Sequence, residues 1–250
     1  MADDDFIKHT SRVLFEGMQI LAREGLLTAA GHLSARIPGT NTFLINPRYA
    51  AVLADADDLC VVDFDGLHLA GTGPIPSETP IHAAIYAARP DVMSVLHCHP
   101  RNAIIVGLLD AGFVPVHREA ACFAGGVPVF PDSRNITSMS QASALAEQLG
   151  DRSAAFLCGH GIVVADLSIE ATCVSAIRLE NSCEDQLKVM SVGAVRPLEE
   201  AHGGAVAPGR ASKGAAAYRN WPFLLHKHGL RGRDEIKASL RPPRGGPAPQ

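Results

Sequence analysis

Short strand-like segments alternate with segments of helical periodicity along most of the chain, and this alternation constrains the fold more than any other feature. The segments Cys60 to Phe64 and Leu67 to Ala70 have strand character and flank Asp65-Gly66, the two-residue signal of a tight antiparallel hairpin. Longer amphipathic segments, from Asp4 to Gly25 and from Ser168 to Met190, predict helices. The pattern predicts an α/β or α+β domain with three layers. No Gly-rich dinucleotide-binding motif follows a strand, so we do not expect a Rossmann fold.

The composition excludes several classes of protein. Hydrophobic residues make up 47% of the 250 residues, charged residues 19%, and the formal net charge is -4. These values are typical of a globular chain and do not favour a nucleic-acid partner held by bulk positive charge. The N-terminus is acidic, and no apolar run approaches the roughly 18 residues that a membrane span needs. We therefore expect a cytoplasmic protein with no membrane or nucleic-acid partner, and most of its six cysteines should be buried thiols.

The composition also changes along the chain and suggests one domain with an appended tail. Residues 1–228 are predicted to form a single domain, whereas residues 229–250 are polar and rich in Pro and Gly and are expected to be a disordered tail. Gly193 to Ala217 is rich in Gly, Ala and Pro and predicts a flexible connection or a loop.

His97-Cys98-His99 is the sharpest local motif. Residues i and i+2 of a strand face the same way, so both imidazoles would point into one site while Cys98 points into the opposite layer. Two such imidazoles are half of a divalent metal site, although a structural His followed by a surface His would give the same motif. His160 lies between two glycines, and Glu78 follows a loop rich in Gly and Pro. Each has a simpler explanation, a hairpin-turn His in solvent or a first-turn acid that complements the helix dipole. Together the four residues are a plausible catalytic metal set.

Several motifs, taken in order, resemble the class II aldolase/adducin family over roughly residues 5 to 190. They are Gly31-His32-Leu33-Ser34-Ala35-Arg36, Ser77-Glu78-Thr79-Pro80-Ile81-His82, Ala88-Arg89-Pro90-Asp91-Val92, His97-Cys98-His99-Pro100 and Gly159-His160-Gly161-Ile162-Val163-Val164. The resemblance implies a three-layer α/β/α sandwich around a mainly antiparallel sheet, and a homotetramer with active sites at subunit interfaces. It also implies that His97, His99 and His160 hold one divalent metal ion per subunit and that Glu78 is an acid/base that can occupy the metal when no substrate is bound.

This chain departs from the family's phosphosugar aldolases where those enzymes cradle phosphate with small residues. Here the positions read Gly31-His32, Asn46-Pro47-Arg48-Tyr49 and Pro76-Ser77, so a sugar phosphate is not expected. Arg48 has a planar guanidinium suited to a carboxylate, and His32 can donate a hydrogen bond or carry a proton. A surface Arg and a structural His are the alternatives. Asn46 and Ser77 are further candidates for substrate binding, and Tyr218, with its aromatic neighbours, would close the pocket over an aromatic ring unless it belongs to a packing patch.

At Gly31-His32 the chain resembles one branch of the superfamily. The enzymes of that branch remove carboxylate from hydroxylated aromatic or pyridine acids in aromatic catabolism. The resemblance therefore implies a metal-dependent, non-oxidative decarboxylase of a small anionic aromatic substrate, with Glu78 or His32 as the proton donor. An aldolase or epimerase acting on a non-phosphorylated hydroxy-keto or sugar-like substrate is the alternative. The third hypothesis is an adducin-like interaction module without activity. Zn, Mn, Fe or Co would each suit a site of three His with open positions.

Overall fold

The computed structural model describes residues 4–49, 53–123, 125–198 and 210–239, with side chains described from Ala217 in the last of these segments. Seven helices lie in these ranges: α1 (Asp4–Arg23), α2 (Thr79–Ala88), α3 (Arg101–Val106), α4 (Met139–Leu149), α5 (Ile169–Val192), α6 (Arg210–Lys227) and α7 (Arg233–Ser239). The strands are β1 (His32–Ile37), β2 (Thr42–Ile45), β3 (Cys60–Asp63), β4 (His68–Ala70), β5 (Ser94–Cys98), β6 (Val129–Phe130), β7 (Ala154–Leu157) and β8 (Gly161–Asp166).

The eight strands form one sheet in the order β4-β3-β2-β1-β5-β8-β7-β6. Every pair of neighbours is antiparallel except β6 and β7, which are parallel. The predicted hairpin at Asp65-Gly66 joins β3 to β4, and both predicted long helices are present as α1 and α5. The prediction of a mainly antiparallel sheet is therefore confirmed.

Helices cover both faces of the sheet and give the three predicted layers. One apolar cluster joins α1, α3, α5 and α6 to one face, and a second joins α2 and α4 to the other. Side chains of β5 alternate between the clusters, with Val95 in the second and Leu96 and Cys98 in the first. Four of the six cysteines are buried, as expected, and no disulfide joins any of these six described residues.

The C-terminal segment differs from the predictions. Helix α6 begins inside the segment expected to be a loop, and α7 lies within the segment expected to be a disordered tail. The reason is tertiary: Ile236 is buried, and the Arg231 guanidinium donates two hydrogen bonds, of 2.6 and 2.7 Å, to the Glu16 carboxylate on α1. Residues 199–209 and 240–250 lie outside the described residues, and the single-domain boundary at 228 stays a prediction.

None of the helices in the described ranges is long and apolar enough to cross a bilayer.

Candidate metal centre and adjoining cavity

The H-x-H motif lies at the end of the central strand β5. His97 is fully buried, and Cys98 points into the opposite apolar cluster, as the alternation of a strand predicts. His99 follows the strand, and its ring lies edge-on to that of His97, with centroids 4.7 Å apart. Both imidazoles therefore reach the same site from one short segment, and the prediction for Cys98 is confirmed.

His160 comes from the turn between β7 and β8, beside β5 in the sheet. Its ring stacks on that of His99 at 5.1 Å and lies 5.0 Å from that of His97. The turn depends on glycine at two positions. Gly159 has a φ of +63°, and a Cβ on Gly161 would lie 2.4 Å from the Cys98 carbonyl oxygen and 2.9 Å from the His99 ring. Glycine thus allows the turn to pack directly against the H-x-H segment.

Glu78 immediately precedes helix α2, and its carboxylate lies close to the His97 and His160 rings. Its Oε1 accepts a 2.9 Å hydrogen bond from the Ile136 N–H, and its Oε2 lies 3.5 Å from His97 Nε2. A distance of 3.8 Å separates Oε1 from His160 Nε2. Burial acts to raise the pKa of Glu78, but its contacts with His97 and the Ile136 N–H, together with the nearby His160 ring, lower it to about 2. Glu78 is therefore a carboxylate at neutral pH.

Three observations indicate that these four residues can bind a divalent cation. One ligand atom from each of Glu78, His97, His99 and His160 can be chosen so that all lie within 4.8 Å of one another. Two buried nitrogens, His97 Nε2 and His160 Nδ1, have no hydrogen-bond partner, which is costly unless something else binds them. His97 Nδ1 lies 3.0 Å from the Ile162 carbonyl oxygen, so it is the protonated nitrogen and Nε2 keeps its lone pair.

The protonation states of the neighbouring rings agree with this assignment. Burial, followed by the repulsion between two protonated rings at His99 and His97, lowers the pKa of His99 to about 4, and the same causes lower the pKa of His160. Both imidazoles are therefore neutral near pH 7, which is the form that binds a metal.

A cavity of about 450 Å³ opens beside the cluster. Predicted residues from several segments line it: Glu78, His99 and His160 on the metal side, together with His32, Arg48 and Ser77. Asn135 also lines the cavity and was not identified from the sequence, because no motif distinguishes it from other loop residues. Asn135 directly precedes Ile136, whose N–H donates a hydrogen bond to Glu78. This hydrogen bond holds the loop at the site.

Two predicted substrate-binding residues lie elsewhere. Asn46 is buried, and its side-chain amide is occupied by backbone: Oδ1 accepts from the Leu33 N–H at 2.8 Å, and Nδ2 donates to the Pro47 carbonyl at 2.9 Å. It braces the start of β1 and is absent from the cavity lining. Tyr218 lies on α6, is 53% exposed and is likewise absent from the lining. Helix α6 packs on α5 through buried residues such as Trp221, so Tyr218 lies on a helix that covers the opposite face of the sheet.

Two buried residues that the sequence prediction did not include, His82 and Ser34, hold His32 in place. Its Nδ1 lies 2.6 Å from His82 Nε2, and His82 Nδ1 lies 2.6 Å from Ser34 Oγ. Burial, followed by the charge of His82, lowers the pKa of His32 well below its ordinary value. A signal for this contact exists in the sequence. Glu78, His82 and Tyr86 recur every four residues and therefore share one face of α2.

Comparison with known proteins is consistent with the geometry. A family model described as Class II Aldolase and Adducin N-terminal domain matches residues 12–187. A 3,4-dihydroxyphthalate decarboxylase from Arthrobacter keyseri is 31% identical over 190 residues, which cover 70% of this chain and 76% of that protein. A protein of the same name from Rhodococcus jostii (strain RHA1) is 28% identical over 196 residues, covering 72% and 80% respectively.

Solved structures give the same result. The L-fuculose 1-phosphate aldolase from Glaciozyma antarctica PI12 superposes with a TM-score of 0.78 at 25% identity, covering 89% of this chain and 91% of that one. The family match spans well over half of the chain and includes all four candidate ligands. This protein therefore belongs to the class II aldolase and adducin family.

Proposed function

We propose that this protein is a metal-dependent, non-oxidative decarboxylase of a hydroxylated aromatic or heteroaromatic carboxylic acid. The observation that carries the proposal is the cavity, which has the His and Glu cluster on one side and also presents His32 and Arg48. A Lewis-acid site and groups that recognise a hydroxyl and a carboxylate would then meet in one space. The resemblance to 3,4-dihydroxyphthalate decarboxylases supports the same reading.

His97, His99 and His160 would hold the metal ion, with Glu78 within reach of it. A divalent cation there would supply Lewis-acid chemistry, drawing the electron pair of the breaking C–C bond toward an oxygen of the substrate. Zn, Mn, Fe and Co are all compatible with three imidazoles and open positions. The side chains keep their ligand nitrogens deprotonated and fix at least one ring, His97, through the Ile162 carbonyl.

Arg48 would bind a carboxylate of the substrate. It lines the cavity and is otherwise exposed, and its guanidinium can donate two parallel hydrogen bonds to a carboxylate. With a formal net charge of -4, the chain does not attract anions through its net charge, so a placed cationic group is the simplest way to hold one. Ser77 lines the same cavity and can bind a second substrate oxygen.

Loss of carbon dioxide leaves an electron pair on the ring carbon, and a proton must replace the carboxyl group there. Glu78 and His32 are the candidates in the cavity. Glu78 is ionised and His32 is neutral at pH 7, so whichever donates must first take up a proton. The substrate's own hydroxyl can supply it, and the product then regains a proton from water when it leaves.

Two other functions remain as alternatives with distinct support. An aldolase or epimerase acting on a non-phosphorylated hydroxy-keto or sugar-like substrate would use the same metal site, and the structural similarity to an aldolase favours it. An adducin-like interaction module has less support, because all four ligand residues are present and lie together. The homotetramer with interfacial active sites and the cytoplasmic location stay predictions.

The test is metal analysis and product analysis of the purified protein. We expect one divalent ion per subunit, loss of that ion in His97→Ala, and carbon dioxide release from ortho-hydroxy aromatic or hydroxypyridine carboxylic acids without NAD or pyridoxal phosphate. His9→Ala, at an exposed position of α1, is the matched control and should keep both properties. Release of pyruvate or an aldehyde from hydroxy-keto acids, with no carbon dioxide, would favour the aldolase. A folded protein without metal or activity would favour the interaction module.

A further inference from the structure

A chain of hydrogen-bonded side chains runs from the cavity into the protein interior. His32 Nδ1 and His82 Nε2 are 2.6 Å apart, His82 Nδ1 and Ser34 Oγ are 2.6 Å apart, and Ser34 Oγ and the Tyr86 hydroxyl are 2.7 Å apart. Ser34 Oγ also lies 3.4 Å from the Val95 carbonyl oxygen. All four side chains are buried, and only His32 lines the cavity. Because Nδ1 of His32 is taken by His82, Nε2 is the nitrogen available to a ligand.

Helix α2 and strand β1 bring these residues together. His82 and Tyr86 are one turn apart on α2, and His32 and Ser34 are two residues apart on β1, so each pair lies on one face of its element. The polar side chains of β1 thus form hydrogen bonds with those of α2, although the two sets lie about 50 residues apart in the chain. This match is specific, since each buried polar group would be costly without its partner.

Counting the hydrogens of the neutral chain favours one arrangement, and the 3.4 Å contact between Ser34 and Val95 distinguishes it from the alternative. Four hydrogens are available, one from each imidazole and one from each hydroxyl. If His32 carries its proton on Nδ1 it donates to His82 Nε2, His82 Nδ1–H and the Tyr86 hydroxyl both donate to Ser34 Oγ, and Ser34 donates to the Val95 carbonyl. All four contacts are then hydrogen bonds. In the opposite arrangement Ser34 must donate to His82, the contact with Val95 is lost, and His32 presents an N–H to the cavity.

We infer that His82 and Ser34 are positioning residues that hold His32 in its neutral Nδ1–H tautomer, so that the Nε2 lone pair faces the cavity and accepts a hydrogen bond from a substrate hydroxyl. The inference rests on the proposed function and deepens it by orienting the substrate. A lone pair attracts a hydroxyl and repels a carboxylate oxygen. The hydroxyl of the aromatic acid therefore lies at His32, and a carboxylate lies at Arg48, which lines the same cavity.

The tautomer can be measured directly by ¹⁵N NMR of the imidazoles in zinc-loaded protein, with His32 assigned by loss of its signals in His32→Gln. We expect a single Nδ1–H form in the unaltered protein. Ser34→Ala removes the acceptor of His82 Nδ1–H and should shift His32 toward the Nε2–H form. Tyr86→Phe is the matched control, because it removes a buried hydroxyl from the same chain and leaves that acceptor in place. An Nε2–H tautomer in the unaltered protein, or equal shifts in the two variants, would overturn the inference.

A second pair of variants keeps the test decisive if Ser34→Ala fails to fold. His82→Gln retains an amide oxygen that can accept from His32 Nδ1–H, whereas His82→Phe has a similar volume and no acceptor. The Nδ1–H form should persist in the first and be lost in the second. Persistence in both would contradict a positioning role for His82.

Ligand binding supplies a readout that purely structural damage would not produce. Salicylate carries an ortho-hydroxyl, and 2-methoxybenzoate has the same skeleton without the donor. Calorimetry on zinc-loaded protein should show a preference for salicylate that falls about tenfold in Ser34→Ala, the effect of roughly one hydrogen bond, and is unchanged in Tyr86→Phe. An unchanged preference in Ser34→Ala would refute the assigned orientation.

Neither measurement needs turnover, so failure of this inference and failure of the proposed function are distinguishable. A protein with the expected tautomer and preference that decarboxylates none of the tested acids would refute the reaction and leave the hydroxyl orientation. A decarboxylase with an Nε2–H tautomer at His32 would refute the orientation alone.

Discussion

The two faces of the central strands β1 and β5 differ in the residues that they bury beside the metal cluster. On the face covered by α1 and α5, the strands present apolar side chains such as Leu96 and the thiol of Cys98. On the face covered by α2 they present His32, Ser34 and His97, all of them buried. Neighbouring residues of one strand thus serve different purposes across the thickness of a single sheet.

Stability and chemistry depend on opposite faces of the sheet in this fold. Apolar contacts are non-directional and contribute in proportion to the area buried, so the α1 and α5 face can be changed without moving the site. Buried polar groups need particular partners, so on the α2 face each change also alters a hydrogen bond or a metal ligand. Substitutions at consecutive positions of β5 should therefore have effects of different kinds.

The largest expected effect is on metal binding and activity in His97→Ala. Loss of this ligand should abolish stoichiometric metal and lower decarboxylation by more than about 100-fold, since even outer-shell partners of metal ligands contribute 10–100-fold. Elemental analysis and carbon dioxide release measure both. A metal-loaded, active His97→Ala protein would show that the polar face does not form the site.

The next effect is on stability, in Leu96→Ala on the opposite face. Leu96 is fully buried in the apolar cluster, so its truncation should lower the free energy of unfolding by about 2–5 kcal/mol. Urea unfolding of the metal-free protein measures the loss. The variant should still bind one ion per subunit below the transition, and loss of metal from its native state would break the separation between the faces.

Acid sensitivity should also belong to the polar face. Burial, and then the charge of His97, lower the pKa of His82 to about 3, whereas an unfolded chain titrates a His near 6.5. Between these pH values the unfolded chain binds the proton and the folded chain does not. The free energy of unfolding therefore falls as the pH drops below about 6.5, by up to about 1.4 kcal/mol per pH unit for one such group.

Chemical denaturation of metal-free protein from pH 7 to pH 4 tests this dependence. His82→Gln should reduce the slope of unfolding free energy against pH. Leu96→Ala should lower the whole curve and leave its slope unchanged. An equal slope in His82→Gln would show that another group governs the acid response.

Cys98→Ala should have the smallest effect, although it is adjacent to two candidate ligands. The thiol is fully buried and points away from the site, so its loss leaves a small cavity costing about 1 kcal/mol. Metal content and kcat/KM should match those of the unaltered protein. A change in either would mean that the two faces are coupled through the strand.

Elements with strong local signals were predictable from the sequence. Helices α1 and α5 follow from their apolar periodicity, and Ser168 caps α5 by accepting from the Ala171 N–H at 3.1 Å. The β3–β4 hairpin follows from Asp65-Gly66. The ordered part of the C-terminus was not predictable, because α7 is held by contacts between Arg231 and Glu16, residues far apart in the chain.

The residues that could form the metal cluster are recognisable from local sequence signals. Alternation along a strand directs His97 to one layer and Cys98 to the other, and Gly159 permits the turn that presents His160, because both effects depend on local backbone geometry. The surroundings of the cluster, in contrast, depend on tertiary packing. Packing of α2 on β1 places His82 and Ser34 beneath His32, and the same fold occupies Asn46 with backbone and holds Tyr218 on the opposite face. Such contacts join residues distant in sequence, and local propensity carries no information about which of them will meet.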